Sequence, residues 1–236
     1  MDIQKLPTQQ EIHYSLSLKV GKANALFTLQ KSGRQLELSS DIKATALGFS
    51  LFQFAQKAIW TENTFAPQSY EEADIKKKRK KIWRCEDKNS VFSAFENGQQ
   101  TKQNSFELTP MSSEYENQRY SFLDPLSLIC ALQCSELKIE SKFVIQVMAK
   151  NALVFLELSF SQEKISLVKA LHREPSTQLR LKIKLLSGEV GPSFSVINEG
   201  LIQVWVDQPT GIISEFGGQY GSYSLGTGYL EKYISS

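Results

Sequence analysis

Little in this chain points to covalent or acid–base chemistry. Its 236 residues include two histidines and three cysteines. His13 and His172 each lie in, or at the end of, a segment that reads as strand, so a surface or structural role is expected of both. There is no G-x-S-x-G elbow for a serine nucleophile. There is no H-E-x-x-H metal helix and no G-x-x-x-x-G-K phosphate loop. Gly217, Gly218 and Gly221 do not form the dinucleotide fingerprint, and the stretch reads as a turn. Cys85, Cys130 and Cys134 are too few, and odd in number, for a paired disulfide scaffold. Cys130 and Cys134 could sit one helical turn apart as buried thiols, but C-x3-C lacks the second half of a zinc site. No catalytic residue, metal or cofactor is therefore expected, and a hydrolase with an unrecognised site is kept only as an alternative.

Long apolar runs are missing too. The longest, such as 152–156, are too short to span a bilayer. Residues 1–10 are polar, contain Pro7 and lack the apolar core of a signal peptide. They read as a flexible segment ahead of a single β-rich domain over 11–236. Charge of one sign is also lacking: 27 basic and 25 acidic residues leave a net +2. That balance gives no global attraction to nucleic acid or anionic membranes, so an electrostatic partner would need a local patch. A chain of this length buries roughly 70–75% of its unfolded surface and needs no cross-links to fold.

What is present is alternation. Tyr14, Leu16, Leu18 and Val20 interleave with His13, Ser15, Ser17 and Lys19, giving one buried and one wet face of a strand. A turn is expected at Gly21-Lys22 and another at Ser32-Gly33, with strands over 23–30 and 35–39. Leu179, Leu181, Ile183 and Leu185 alternate with Arg180, Lys182 and Lys184. Segments 143–149 and 152–160 flank Lys150-Asn151, where a tight hairpin is expected. A further strand is expected over 163–171. Strands at 202–206 and 212–216 flank a Pro209-Thr210-Gly211 turn. In the last strand Gly226 and Gly228 share one face, which suggests a bend or a close backbone approach.

Two helices are considered. Asp124 is a good N-cap and Pro125 suits the first helical position; Leu126, Ile129, Cys130 and Gln133 then follow at helical spacing. Segment 44–57 places Leu47, Leu51 and Phe54 on one helical face, but its phenylalanines suit a strand equally. Residues 96–119 read as an Asn97-Gly98 turn and a long loop with at most one short strand, 105–108. The fold class expected is mainly β: a curved antiparallel sheet or partly open barrel with one or two short helices.

The most conspicuous local signal is the run Lys76, Lys77, Lys78, Arg79, Lys80, Lys81, followed by Ile82, Trp83 and Arg84. It could contact anionic lipid or nucleic acid, with Trp83 stacking on a base. The reading favoured over both is a solvated edge strand, where lysines guard against aggregation. The acidic neighbours Glu71, Glu72, Asp74, Glu86 and Asp87 partly cancel it, and nucleic acid is the less favoured partner.

Several short motifs occur together. Asp124-Pro125-Leu126-Ser127-Leu128 matches a D-x-L-S-L pattern, and Tyr14-x-Leu16 precedes Gly21. Ala66-Pro67-Gln68-Ser69-Tyr70 precedes the basic strand, and Val204-Trp205-Val206-Asp207 with Gly211 forms a W-x-D…G turn. In these features the chain resembles a bacterial exported family, domain of unknown function 3108, over roughly 11–233. It departs at Val190-Gly191-Pro192, where that family carries a glutamate-threonine-proline-leucine-glycine stretch. The resemblance implies a periplasmic or envelope-associated protein whose curved sheet closes partly around an apolar interior; a cytoplasmic location is the alternative. It implies no activity and no catalytic residues. The function expected is a non-enzymatic binding or assembly module for an apolar or amphiphilic ligand or a partner protein.

Overall fold

The computed structural model describes residues 5–18, 21–61, 66–86, 89–107, 119–121, 125–149, 152–187, 202–220 and 223–236. The first half of the chain is a meander of long strands: β1 (Gln9–Leu18), β2 (Gly21–Ser32), β3 (Gln35–Ala46), β4 (Phe49–Thr61), β5 (Ala66–Asp74), β6 (Arg79–Glu86), β7 (Asn89–Glu96) and β8 (Gln99–Glu107). A short strand β9 (Arg119–Ser121) and one helix α1 (Pro125–Gln133) follow. The second half is β10 (Lys142–Ala149), β11 (Ala152–Ser166), β12 (Ser176–Ser187), β13 (Ile202–Asp207), β14 (Ile213–Tyr220) and β15 (Tyr223–Ser235).

All strands belong to one 15-stranded sheet in the order β8-β7-β6-β5-β4-β3-β2-β1-β15-β14-β13-β12-β11-β10-β9. The seam at its middle joins β1 to β15, so the two ends of the chain are adjacent. Neighbours are antiparallel except β9 and β10, which run parallel. Among the described residues β8 and β9 are edges and no pairing closes the sheet. The expected mainly β, curved antiparallel architecture is what forms.

Alternation puts one face inward. Ile12 and Tyr14 of β1, Ala23 and Leu29 of β2, Leu36, Leu38 and Ala44 of β3, and Ala58 and Trp60 of β4 are all buried. The helix lies inside the curve. Its sequence, PLSLICALQ, carries no charge on any face, and a helix apolar all round must be surrounded by protein. Leu126, Cys130, Ala131 and Leu132 join one core with Leu36, Leu38 and Trp60 from the first half and Val154, Leu158 and Leu179 from the second. Ile129 faces a second core with Ile12, Tyr14, Ile212 and Leu230. Cys130 and Cys134 are buried thiols, 1% and 2% exposed.

Several local expectations are corrected. Segment 44–57 is not a helix: it forms the end of β3, a Leu47-Gly48 turn and the start of β4, because its pairing with neighbours on both sides outweighs its helical spacing. Gly21 and Lys22 are not a turn but the first residues of β2, paired with Leu18 and Ser17. The loop expected after Asn97-Gly98 is instead β8, paired along β7. Strand β11 runs through to Ser166, with a register shift between Phe160 and Glu163, so no separate strand covers 163–171. Gly217 and Gly218 lie in β14 rather than in a turn. Val20, Asp124, the Lys150-Asn151 hairpin tip and Val190-Gly191-Pro192 lie outside the described residues. Residues ahead of β1 are tied down from Leu6 onward: Leu6 is in the core, and Thr8 N and Gln9 N donate to Ser236 O at 3.0 and 3.2 Å.

If the helix is the central plug, truncating it should loosen both halves at once. Leu132→Ala is expected to cost about 2–5 kcal/mol in urea unfolding, as for a buried leucine that leaves a cavity. The unfolding should stay a single transition when followed by tryptophan fluorescence and by far-ultraviolet dichroism.

Candidate functional site

Two places inside the sheet carry chemistry of opposite kinds. The first is a saturated polar knot. Asp207 ends β13, is 0% exposed, and faces β12 across the ladder, opposite Gln178. Its Oδ1 accepts from Ser176 Oγ at 2.6 Å and from Gln178 Nε2 at 2.7 Å. Its Oδ2 accepts from Thr210 Oγ1 at 2.6 Å and Thr210 N at 3.3 Å, and bonds His172 Nε2 at 2.8 Å. Burial raises the Asp207 pKa, but the hydrogen bonds from Ser176, Thr210, His172 and Gln178 outweigh it, so the carboxyl is held below its usual range.

This knot is structural. Ser176 and His172 each bond a separate oxygen of the carboxylate, so the imidazole is not set against the serine hydroxyl as in a serine–histidine nucleophile pair. What the knot does is fix a turn against the helix. Asp207 O accepts from Gly211 N at 2.8 Å, and Gly211 adopts φ +70°. A β-carbon at Gly211 would collide with the Leu132 carbonyl at the end of α1. Gln208 Nε2 donates to Leu137 O at 2.8 Å, just past the helix. The W-x-D…G pattern thus has a physical content. Trp205 lies under Lys164, whose Nζ is 4.1 Å from the ring, Asp207 gathers the donors, and Gly211 permits the close approach.

The second place is apolar and unsaturated. A cavity of about 320 Å³ lies beyond Ile129 of α1, at the small end of ligand pockets. Leu16 and Tyr14 of β1, Ala23, Asn24, Ala25 and Phe27 of β2, Ile42 of β3 and Phe52 of β4 form one wall. Val204, Ile213 and Phe216 form the other, across the β1–β15 seam. Small side chains on β2 create the space. Gly228 of β15 makes room for Phe216: a β-carbon there would strike its ring. Phe216 and Phe27 both meet the Tyr14 ring edge-on, with centroids 5.7 and 5.5 Å away.

Two residues of this lining carry polar side chains, the exposed Asn24 and the buried Tyr14. Tyr14 is 3% exposed, and its hydroxyl has no hydrogen-bond partner among the described residues. Burial pushes its pKa far above that of a free phenol, so it stays protonated and offers a hydrogen bond rather than a base. Periodicity placed Tyr14 on the buried face; nothing in the sequence marked its hydroxyl as unpaired.

The residues singled out by the sequence lie elsewhere. Lys76, Lys77 and Lys78 form the turn between β5 and β6, and Arg79 to Arg84 lie in β6. That strand is not an edge: it pairs with β5 on one side and β7 on the other. Much of the charge is matched, across the ladder by Lys80–Glu71 at 2.7 Å, Lys81–Glu72 at 2.9 Å and Arg79–Glu96 at 3.0 Å, and within the turn by Lys77–Asp74 at 3.7 Å. Trp83 cannot stack on a base as the sequence reading allowed. It points inward, 3% exposed, between Tyr70 and Phe92 at 5.0 and 5.1 Å. Arg84 faces the other way, into an outer groove with Ile82, Val91, Ser93 and Gln103.

The chain is similar in structure to the crystal structure of a β-barrel-like protein of domain of unknown function DUF1849 from Brucella abortus. The TM-score is 0.51 at 10% identity, covering 98% of this chain and 98% of that one. At that identity the likeness defines a fold: a β-barrel-like domain. No family model and no curated protein matches the sequence, so the coarser class stands in place of the 3108 family. No helix among the described residues is long and apolar enough to cross a membrane.

The knot makes a signed prediction. With its folded pKa depressed, Asp207 contributes stability that is complete above the unfolded value of about 3.9 and is lost as pH falls through the folded value. Asp207→Asn should cost about 2–3 kcal/mol at neutral pH. It should also flatten the acid limb of a stability–pH curve measured by urea unfolding.

Proposed function

We propose that this domain is a non-enzymatic carrier or sensor that takes one apolar or amphiphilic ligand into the cavity around Tyr14. The observation that carries the reading is the buried Tyr14 hydroxyl, without a hydrogen-bond partner among the described residues, in a mostly apolar space. A buried hydroxyl without a partner costs about 1–3 kcal/mol. A ligand that brings one acceptor atom and an apolar body removes that cost and fills the volume in the same step. A small apolar pocket with one fixed polar group orients a ligand as binding sites generally do. Aromatic edges from Phe27 and Phe216 hold the phenol ring in place before anything binds. By contrast, the Asp207 carboxylate is already saturated by its own neighbours and has nothing to offer a ligand. An envelope location, where amphiphilic ligands abound, fits this reading.

Tyr14→Phe separates the two halves of this reading. The unliganded variant should be more stable than the wild type by about 1 kcal/mol, since it sheds an unsatisfied group. Its affinity for decanol should fall roughly five- to tenfold, the worth of one hydrogen bond. Calorimetric titration and urea unfolding measure both. A variant that loses stability and binds decanol as before would show that the hydroxyl serves the fold instead.

A further inference from the structure

We propose that the paired tips of the β3–β4 and β5–β6 hairpins dock the protein on an anionic lipid bilayer, with Leu47 and Phe49 entering the interface. This goes beyond the cavity reading and does not rest on it.

The two tips are joined. Lys76 Nζ reaches across to Ser50 O at 2.6 Å and Leu51 O at 3.4 Å, and Ile75 N donates to Gln53 O at 3.0 Å. On this unit Leu47 is 87% exposed, Phe49 76%, Ile75 49% and Leu51 47%. Four of the nine large hydrophobics exposed among the described residues therefore sit on one projection. Scattered apolar residues are ordinary on a surface, but a concentrated set marks an interaction site.

Backbone geometry gives an independent reason. Leu47 has φ +49° and Gly48 φ +83°. The β7–β8 turn of the same sheet has almost the same angles, 52° and 81°, but there the residues are Asn97 and Gly98. Asparagine tolerates this left-handed conformation, whereas leucine is strained in it. The strain gains nothing for the core, because the Leu47 side chain is in water. A local rule broken without a folding gain marks a functional position.

Charge then selects the occupant. Lys76, Lys77, Lys78 and Arg79 stand beside the apolar tip, with Asp74 and Glu96 as their carboxylate partners, so four cations face two anions. Exposed Lys22, opposite Thr45 near the β3 end, adds to the same sign. Leu47 and Phe49 stand at the turn between β3 and β4 with most of their surface exposed. Such a tip suits a deformable interface, where lysine stems lie along lipid and their ammonium groups stay with the headgroups.

The test is sedimentation of the full chain with vesicles of phosphatidylcholine and phosphatidylglycerol in equal parts. Wild type should bind these, bind phosphatidylcholine alone weakly, and be released by salt. L47N/F49S should bind roughly tenfold more weakly, while L47N alone should melt no lower than wild type, since asparagine suits the turn. K77Q/K78Q should lose the preference for phosphatidylglycerol. Tyr14→Phe should bind the vesicles as wild type does, so the cavity reading can fail separately. Equal binding by L47N/F49S, or no wild-type binding to the mixed vesicles, would overturn the proposal.

Discussion

The burial of α1 inside the curve of the sheet is the contact on which the other features depend. Nine helical residues without a charge are unstable in water, and a sheet curved this far would enclose empty space. Each supplies what the other lacks. Leu126, Cys130 and Leu132 draw the flank of β3 and β4 toward that of β11 and β12. Ile129, on another face, becomes part of the cavity lining. The position of one helix therefore divides the interior into a packed core and a space. The turn after β13 holds it there, through Gly211 against Leu132 and Gln208 on Leu137 O. This explains why so much hydrogen bonding converges on Asp207, which ends β13, the strand that also gives Val204 to the cavity wall.

The two interior sites contrast in one property, satisfaction. Around Asp207 every carboxylate oxygen has donors, so the site is rigid and chemically closed. Around Tyr14 the lining is mostly apolar and one buried hydroxyl is left over. Natural interiors seldom leave such groups unpaired, and an exception calls for an explanation. On the proposed reading a ligand would also account for the small residues Ala23 and Ala25, which line the same space.

Much of the fold could be read from the chain because alternation and burial are local. Leu179 and Leu181 are inward and Lys182 and Lys184 outward, as their spacing required. The helix starting at Pro125 was legible from its first turn. The strand order was not: the β1–β15 seam joins residues more than 200 positions apart, and no local signal encodes it. Segment 44–57 had helical and strand spacing together, and only pairing with β2 and β5 decided between them. Trp83 shares an inward face with Phe92 across the ladder, so its parity put it in the core, whatever charges surround it in sequence. The candidate site was half legible. Tyr14 and Leu16 were placed on a buried face, but Phe52, Val204 and Phe216 come from distant strands and meet them only in three dimensions.

The most direct measurement is native mass spectrometry of freshly purified protein, followed by solvent extraction of whatever is bound and by addition of decanol to the extracted chain. The account predicts a single adduct per chain, either carried from the cell or taken up from decanol, lost when Ala25→Phe fills the cavity. A clean unliganded mass that decanol does not change would contradict the claim that the Tyr14 cavity is a binding site.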